Sequence, residues 1–122
     1  GVWKKVPIAE GEYAANEISF NKMFAADNCV AYLKTTIMAP EAREAILELG
    51  SDDGLKVWLN GELVHANNTQ RGHIAGEDKA PVTLKAGDNT LLLKITQGVG
   101  GWAASALVTD RNGKVMTDLA FQ

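Results

Sequence analysis

A single cysteine, Cys29, and two histidines, His65 and His73, are all that 122 residues offer of the side chains that bind transition metals most tightly. A lone cysteine excludes an intrachain disulfide, and within the apolar run Cys29-Val30-Ala31 it reads as a buried structural thiol rather than a nucleophile. Neither histidine has metal-ligand spacing with Cys29 or with a glutamate. Charge of one sign is also lacking. Twelve Lys and Arg against fifteen Asp and Glu give a net charge of −3, which supplies neither the basic field that nucleic acid demands nor a disordered acidic tail. No apolar run approaches the ~18 residues of a membrane span, so neither a membrane nor nucleic acid is an expected partner. The first residues, Gly1-Val2-Trp3, are neither an initiator Met nor a signal sequence, and the chain reads as an excised or processed fragment. There is no internal repeat and no low-complexity linker. With 46% hydrophobic residues, the expectation is one monomeric domain over 1–122, with enough apolar surface for one core.

What is present in quantity is turn chemistry. Ser51-Asp52-Asp53-Gly54, Asn60-Gly61, Ala86-Gly87-Asp88, Gln97-Gly98-Val99-Gly100-Gly101 and Arg111-Asn112-Gly113 recur at strand-length spacing. The intervening runs, 55–59, 62–66, 82–85, 89–96, 102–108 and 114–119, are rich in β-type residues, and a longer strand is expected over 29–38. Short strands at this spacing predict an all-β fold, an antiparallel two-sheet sandwich. Residues 7–28 are weakly patterned, with one strand expected at 17–20.

The sharpest local signal is Leu59-Asn60-Gly61-Glu62, a type I′ hairpin turn in which both central residues take positive φ. Pairing Leu59 with Glu62 puts Val57 opposite Val64 and Leu55 opposite Ala66 on a core face, and leaves Lys56, Trp58, Leu63 and His65 on a second face. Alternation likewise separates Leu91, Leu93 and Ile95 from Thr90, Leu92 and Lys94. It separates Ala31, Leu33, Thr35 and Ile37 from Tyr32, Lys34, Thr36 and Met38. The segment 40–49 conflicts with this pattern: good helix formers with apolar residues at 42, 45, 46 and 49 predict a short helix. A strand there would need Ala45, Leu47 and Leu49 in the core, with Ile46 outward and Glu48 exposed.

The stretch from Leu49 to Val64, LGSDDGLKVWLNGELV, resembles the SDDG-x-x-V-x-(L/V)-(D/N)-G core of a jelly-roll superfamily. That superfamily includes sugar-binding domains of family 2 glycoside hydrolases, protective-antigen-type lectin domains and non-catalytic modules of bacterial polysaccharide-degrading enzymes. Arg71-Gly72, Asp78-Lys79, the run from Leu84 to Lys94 and Gly100-Gly101-Trp102 look like the bacterial modules, so the similarity covers about residues 29–110. It implies a jelly roll in which 45–49 is a strand. It also implies a secreted, non-catalytic module that carries an attached glycoside hydrolase to plant or microbial polysaccharide of the β-glucan type. The superfamily also includes purely structural sandwiches and calcium-dependent adhesins, so both readings stay open.

A sugar presents apolar C–H faces and hydroxyl edges, so its site wants an exposed aromatic beside hydrogen-bonding groups. Trp102, with Gln97 at the start of its glycine-rich loop, reads as a platform or as a lid over the core. Trp58 reads as a stacking ring or as packing beneath the N-terminal segment, and Tyr32 as a contact or as surface packing. The polar 67–79 loop adds Asn67, Arg71 and His73, either for recognition or as an ordinary solvated loop braced by Arg71 and Asp78. Asp52 and Asp53 form an adjacent pair which, by resemblance to the adhesins, could help hold Ca²⁺ or else simply cap a turn. No cofactor is otherwise required. Adjacent carboxylates cannot flank a glycosidic bond ~5–9 Å apart, and Ser19, Ser51 and Ser105 lie in no G-x-S-x-G elbow. No glycine loop has phosphate-binding context either, and the chain is not expected to be an enzyme.

Overall fold

The computed structural model of the chain describes residues 18–19, 29–51, 54–67, 77–97 and 103–122. Among them the backbone forms β1 (Ile18–Ser19), β2 (Cys29–Ala39), β3 (Arg43–Ser51), β4 (Gly54–Leu59), β5 (Glu62–Asn67), β6 (Asp78–Leu84), β7 (Gly87–Gln97), β8 (Ala103–Thr109) and β9 (Ala120–Phe121). They pair antiparallel in two sheets, ordered β1-β8-β3-β6 and β5-β4-β7-β2-β9. The fold is an all-β, two-sheet antiparallel sandwich. Among the described strands only β4 and β5 are sequence neighbours in one sheet; every other consecutive pair lies in opposite sheets.

Strict alternation makes this architecture possible. Ile37, Leu47, Leu49, Leu55, Val57, Leu84, Leu91, Leu93 and Ile95 are buried and form one cluster, with Ala31 and Leu33 packed against it. Each belongs to the inward set of its strand, so period-2 patterning and burial agree in β2, β4 and β7. The short strand expected at 17–20 is present as Ile18–Ser19, paired to Ala104 and Ala103. The Cys29 backbone is in β2 opposite Gln97, and its side chain lies outside the described residues.

The segment before Gly50 is a strand and not the helix that its composition favours. β3 lies between β6 and β8, so both edges of its backbone find ladder partners, and Ala45, Leu47 and Leu49 enter the core at period 2. This tertiary pairing outweighs a helix preference of well under ~1 kcal/mol per residue. Glu48, expected to be exposed, is buried, because β3 is an inner strand and Lys79 lies across from it, Nζ 3.6 Å from Oε1. β6 begins at Asp78, four residues before the expected start, and runs through Pro81. A proline is tolerated there because β6 is an edge strand, where no second neighbour requires its N–H.

The expected strand over 114–119 is absent. Asp110 Oδ1 accepts hydrogen bonds from the backbone N–H of Asn112 and Lys114, which curls the chain, and Val115 makes only an isolated bridge to Thr109. The tail is then held by a two-pronged ion pair in which Arg43 Nη1 and Nη2 donate to Asp118 Oδ1 and Oδ2, both at 2.7 Å. These hydrogen bonds hold the Asp118 carboxyl below the usual carboxylate range and raise the Arg43 guanidinium.

The hairpin turn is as expected, with Asn60 at φ 52° and Gly61 at φ 83°. The register beyond it is not. Leu59 faces Glu62 and Trp58 faces Leu63, but a bulge between Val57 and Trp58 then leaves Val57 opposite His65, Lys56 opposite Ala66 and Leu55 opposite Asn67. The extra residue, Val64, shifts the rest of β5 by one, so His65 and Asn67 point toward the other sheet and Ala66 points outward. His65 Nε2 there donates to Asp78 Oδ2 at 3.0 Å, and Asn67 Nδ2 reaches both Asp78 oxygens at 3.3 Å. The polar group ties the edge strand of one sheet to that of the other.

Asn89 is wholly buried with its amide saturated. Its Nδ2 donates to the carbonyls of Ile37 (3.2 Å), Lys85 (2.9 Å) and Gly87 (3.2 Å), and its Oδ1 accepts from Lys85 N and Asn60 Nδ2, both at 3.0 Å. Asn60 Oδ1 in turn accepts from Thr90 N at 2.9 Å, and its own N–H donates to the Thr90 carbonyl at 2.8 Å. Removing the Asn89 amide leaves several buried partners unsatisfied, so Asn89→Ala is expected to lower unfolding free energy by about 2–4 kcal/mol in urea titration. A loss below about 1 kcal/mol would mean that water replaces the amide at little cost.

Candidate functional site

The outer surface of the five-stranded sheet collects the side chains that alternation turns away from the core. Register places Leu63, Trp58, Leu92 and Lys34 in one row across β5, β4, β7 and β2. Ala66, Lys56, Lys94 and Tyr32 form the next row. Beyond it, Thr96 and Val30 follow on one side, with Thr90 and Thr36 on the other. Four strands at ~4.8 Å spacing make this face roughly 14 Å wide, and successive rows are about 6.8 Å apart.

The face is amphipathic. Tyr32 is 47% exposed and Leu63 51%, Trp58 and Leu92 are half-buried, and Lys34, Lys56 and Thr90 are open to solvent. Lys34, Trp58, Gly61, Thr90 and Leu92 line a shallow depression of about 310 Å³, at the lower end of the range for ligand pockets. Trp58 thus has one side against its sheet neighbours and the other at the rim of a depression. An aromatic held in this way can stack on an apolar ring face, and threonine hydroxyls and lysine ammonium groups beside it can bond to ring substituents.

A larger cleft of about 820 Å³ lies at the open side of the sandwich, lined by Glu44, Ile46, Asn60, Glu62, Pro81 and Asp110 among others. Among the described residues no aromatic lines it.

Of the expected site residues, Trp58 and Tyr32 come together on the outer face, separated by one row and by β7. Asn67 is elsewhere, turned inward by the bulge and engaged with Asp78. Gln97 ends β7 opposite Cys29, with its side chain outside the described residues. Trp102, Arg71, His73, Asp52 and Asp53 also lie outside the described residues. Among the described residues no three His, Cys, Asp or Glu side chains converge as a metal site. No family model matches the chain, and neither a curated protein nor a solved structure matches it.

The residues that sequence reasoning left out of the site are Lys34, Lys94 and Leu92, whereas Lys56 already shared a face with Trp58. Their strand-by-strand alternation was visible. Their convergence depends on β7 lying between β4 and β2, a non-local fact.

Lys56 lies directly opposite Lys94, where Cβ atoms are about 4.5–5.5 Å apart and like charges destabilise the pair. Among the described residues no carboxylate is within ion-pair distance of Lys34, Lys56 or Lys94. Replacing one member by the opposite charge, Lys56→Glu, is expected to raise stability by about 0.3–1 kcal/mol at low salt, read as a higher urea midpoint. The gain should shrink toward zero in about 1 M NaCl, where the Debye length is ~3 Å. A destabilised Lys56→Glu would contradict the repulsion.

Proposed function

We propose that this chain is a non-catalytic carbohydrate-binding module that holds an attached glycoside hydrolase on plant or microbial polysaccharide. The observation that carries this reading is the pair of rings, Trp58 and Tyr32, on one solvent-facing sheet surface with lysine ammonium groups in the same two rows and threonine hydroxyls in the flanking ones. Glycan chains are long and offer a repeating apolar face. An open sheet surface suits them better than a closed pocket, and stacking area with few directional bonds gives reversible attachment. The strand order supports the jelly-roll reading, since β1-β8-β3-β6 and β5-β4-β7-β2 interleave with nearly every connection crossing between sheets. The SDDG…VWLNG stretch contributes β4 and the hairpin turn that sets Trp58 in place. A plant or microbial polysaccharide ligand puts the module outside the cell as part of a secreted enzyme.

One observation favours a second reading, a structural sandwich packed against a neighbouring domain: Val30, Tyr32 and Leu63 on the outer face are about half exposed. The two readings separate in affinity electrophoresis through gels containing soluble β-glucans, uronate polysaccharides and other glycans. The carbohydrate reading predicts retardation by at least one polysaccharide, reduced about tenfold or more in apparent affinity by Trp58→Ala and less by Tyr32→Ala. Retardation unchanged in both variants would move the site off this face. No retardation by any glycan would leave the structural reading.

A further inference from the structure

We infer that the chain held on the outer face is an acidic polysaccharide whose sugar rings carry uronate carboxylates, with neutral β-glucan the weaker ligand. This inference rests on the carbohydrate-binding reading above and specifies its substrate class.

The whole sequence carries three more acids than bases, yet two adjacent rows of the outer face hold Lys34, Lys56 and Lys94 and no carboxylate. Among the described residues the nearest acid on that side of β7 is Asp88, four residues from the Lys34 row and six from Lys94, roughly 14 and 20 Å along the strand. Across the β4–β7 ladder Lys56 and Lys94 are direct partners, so the arrangement opposes folding and no described side chain neutralises it. The adjoining positions fit a sugar: Tyr32 is the cross-strand partner of Lys94, and Trp58 lies two residues from Lys56 on the same face.

A neutral glucan would use the two rings and leave three ammonium groups with hydroxyls alone. A uronate chain uses both features at once. Its ring faces stack on Trp58 and Tyr32, while carboxylates recurring along the chain accept charge-assisted hydrogen bonds, roughly twice as strong as neutral ones, from the lysines between. Lysine suits this task because its flexible stem lets a point charge follow a ligand whose carboxylates vary in position. Single-stranded nucleic acid also offers ring faces and anions, and the measurement below separates it from a uronate chain.

The test measures affinity of the chain by calorimetry for polygalacturonate, polyglucuronate and alginate, each as the free acid salt and as its methyl ester. A neutral β-glucan and single-stranded DNA complete the set. The inference predicts that at least one free uronate binds about tenfold or more tighter than its ester and than the glucan, and that raising NaCl from about 50 to 500 mM weakens it about tenfold. Lys56→Gln and Lys94→Gln should each weaken uronate binding about threefold to tenfold and weaken glucan binding by a smaller factor, without lowering Tm. Equal affinity for free and esterified chains, or tight salt-independent binding to the glucan alone, would overturn the uronate preference and leave the carbohydrate reading standing. No binding to any glycan, or DNA bound more tightly than every uronate, would overturn both.

Discussion

The buried amide of Asn89 is the interaction on which the candidate face depends. One side chain accepts from the Asn60 amide at the hairpin tip and donates to the Ile37 carbonyl of β2. It also closes the 85–87 turn that admits the chain to β7. Three of the strands that make up the outer face are therefore fixed to one another at the same end. A fully bonded polar group in a core of Leu, Ile and Val specifies position where apolar contacts alone permit sliding. The ladder that sets Trp58 opposite Leu92 and Lys56 opposite Lys94 starts at Leu59 and Leu91, one residue from the Asn60–Thr90 contact.

From that anchor the two faces of the sheet diverge. The inner face follows the ordinary requirement of a sandwich, alternating apolar side chains at full burial. The outer face departs from what stability alone would select, with half-exposed rings and an unneutralised lysine pair. Sites that break a local rule without local compensation are where function is sought. On the reading proposed above, an anionic glycan would supply the missing charge and cover the exposed rings. The bulge in β5 contributes indirectly by removing His65 from the outer face and committing it, with Asn67, to Asp78. The edge of the face is left apolar.

Much of the fold could be read in the sequence because its signals are local. Asn60-Gly61 dictates a turn, and the alternations of 29–39 and 89–96 define which residues are buried. Readings failed where a distant partner decides. Helix-forming composition in 43–49 yields to pairing with β6 and β8. Pro81 hid the true start of β6 because its tolerance depends on an edge position. The extra residue in β5 has no composition signal and reversed the orientation expected for His65. The candidate site divides in the same way. Trp58 and Tyr32 were identifiable one strand at a time, whereas their common surface with Lys34 and Lys94 follows from strand order alone.

The most direct measurement is residue-by-residue mapping of the ligand footprint by amide chemical-shift perturbation, titrating the chain with a short uronate oligosaccharide. The account predicts shifts concentrated at Tyr32, Lys34, Lys56, Trp58, Leu92 and Lys94, with the cleft at Glu44, Ile46 and Thr83 unaffected. Shifts confined to that cleft or to the sheet ends, with Trp58 and Lys94 unmoved, would contradict it.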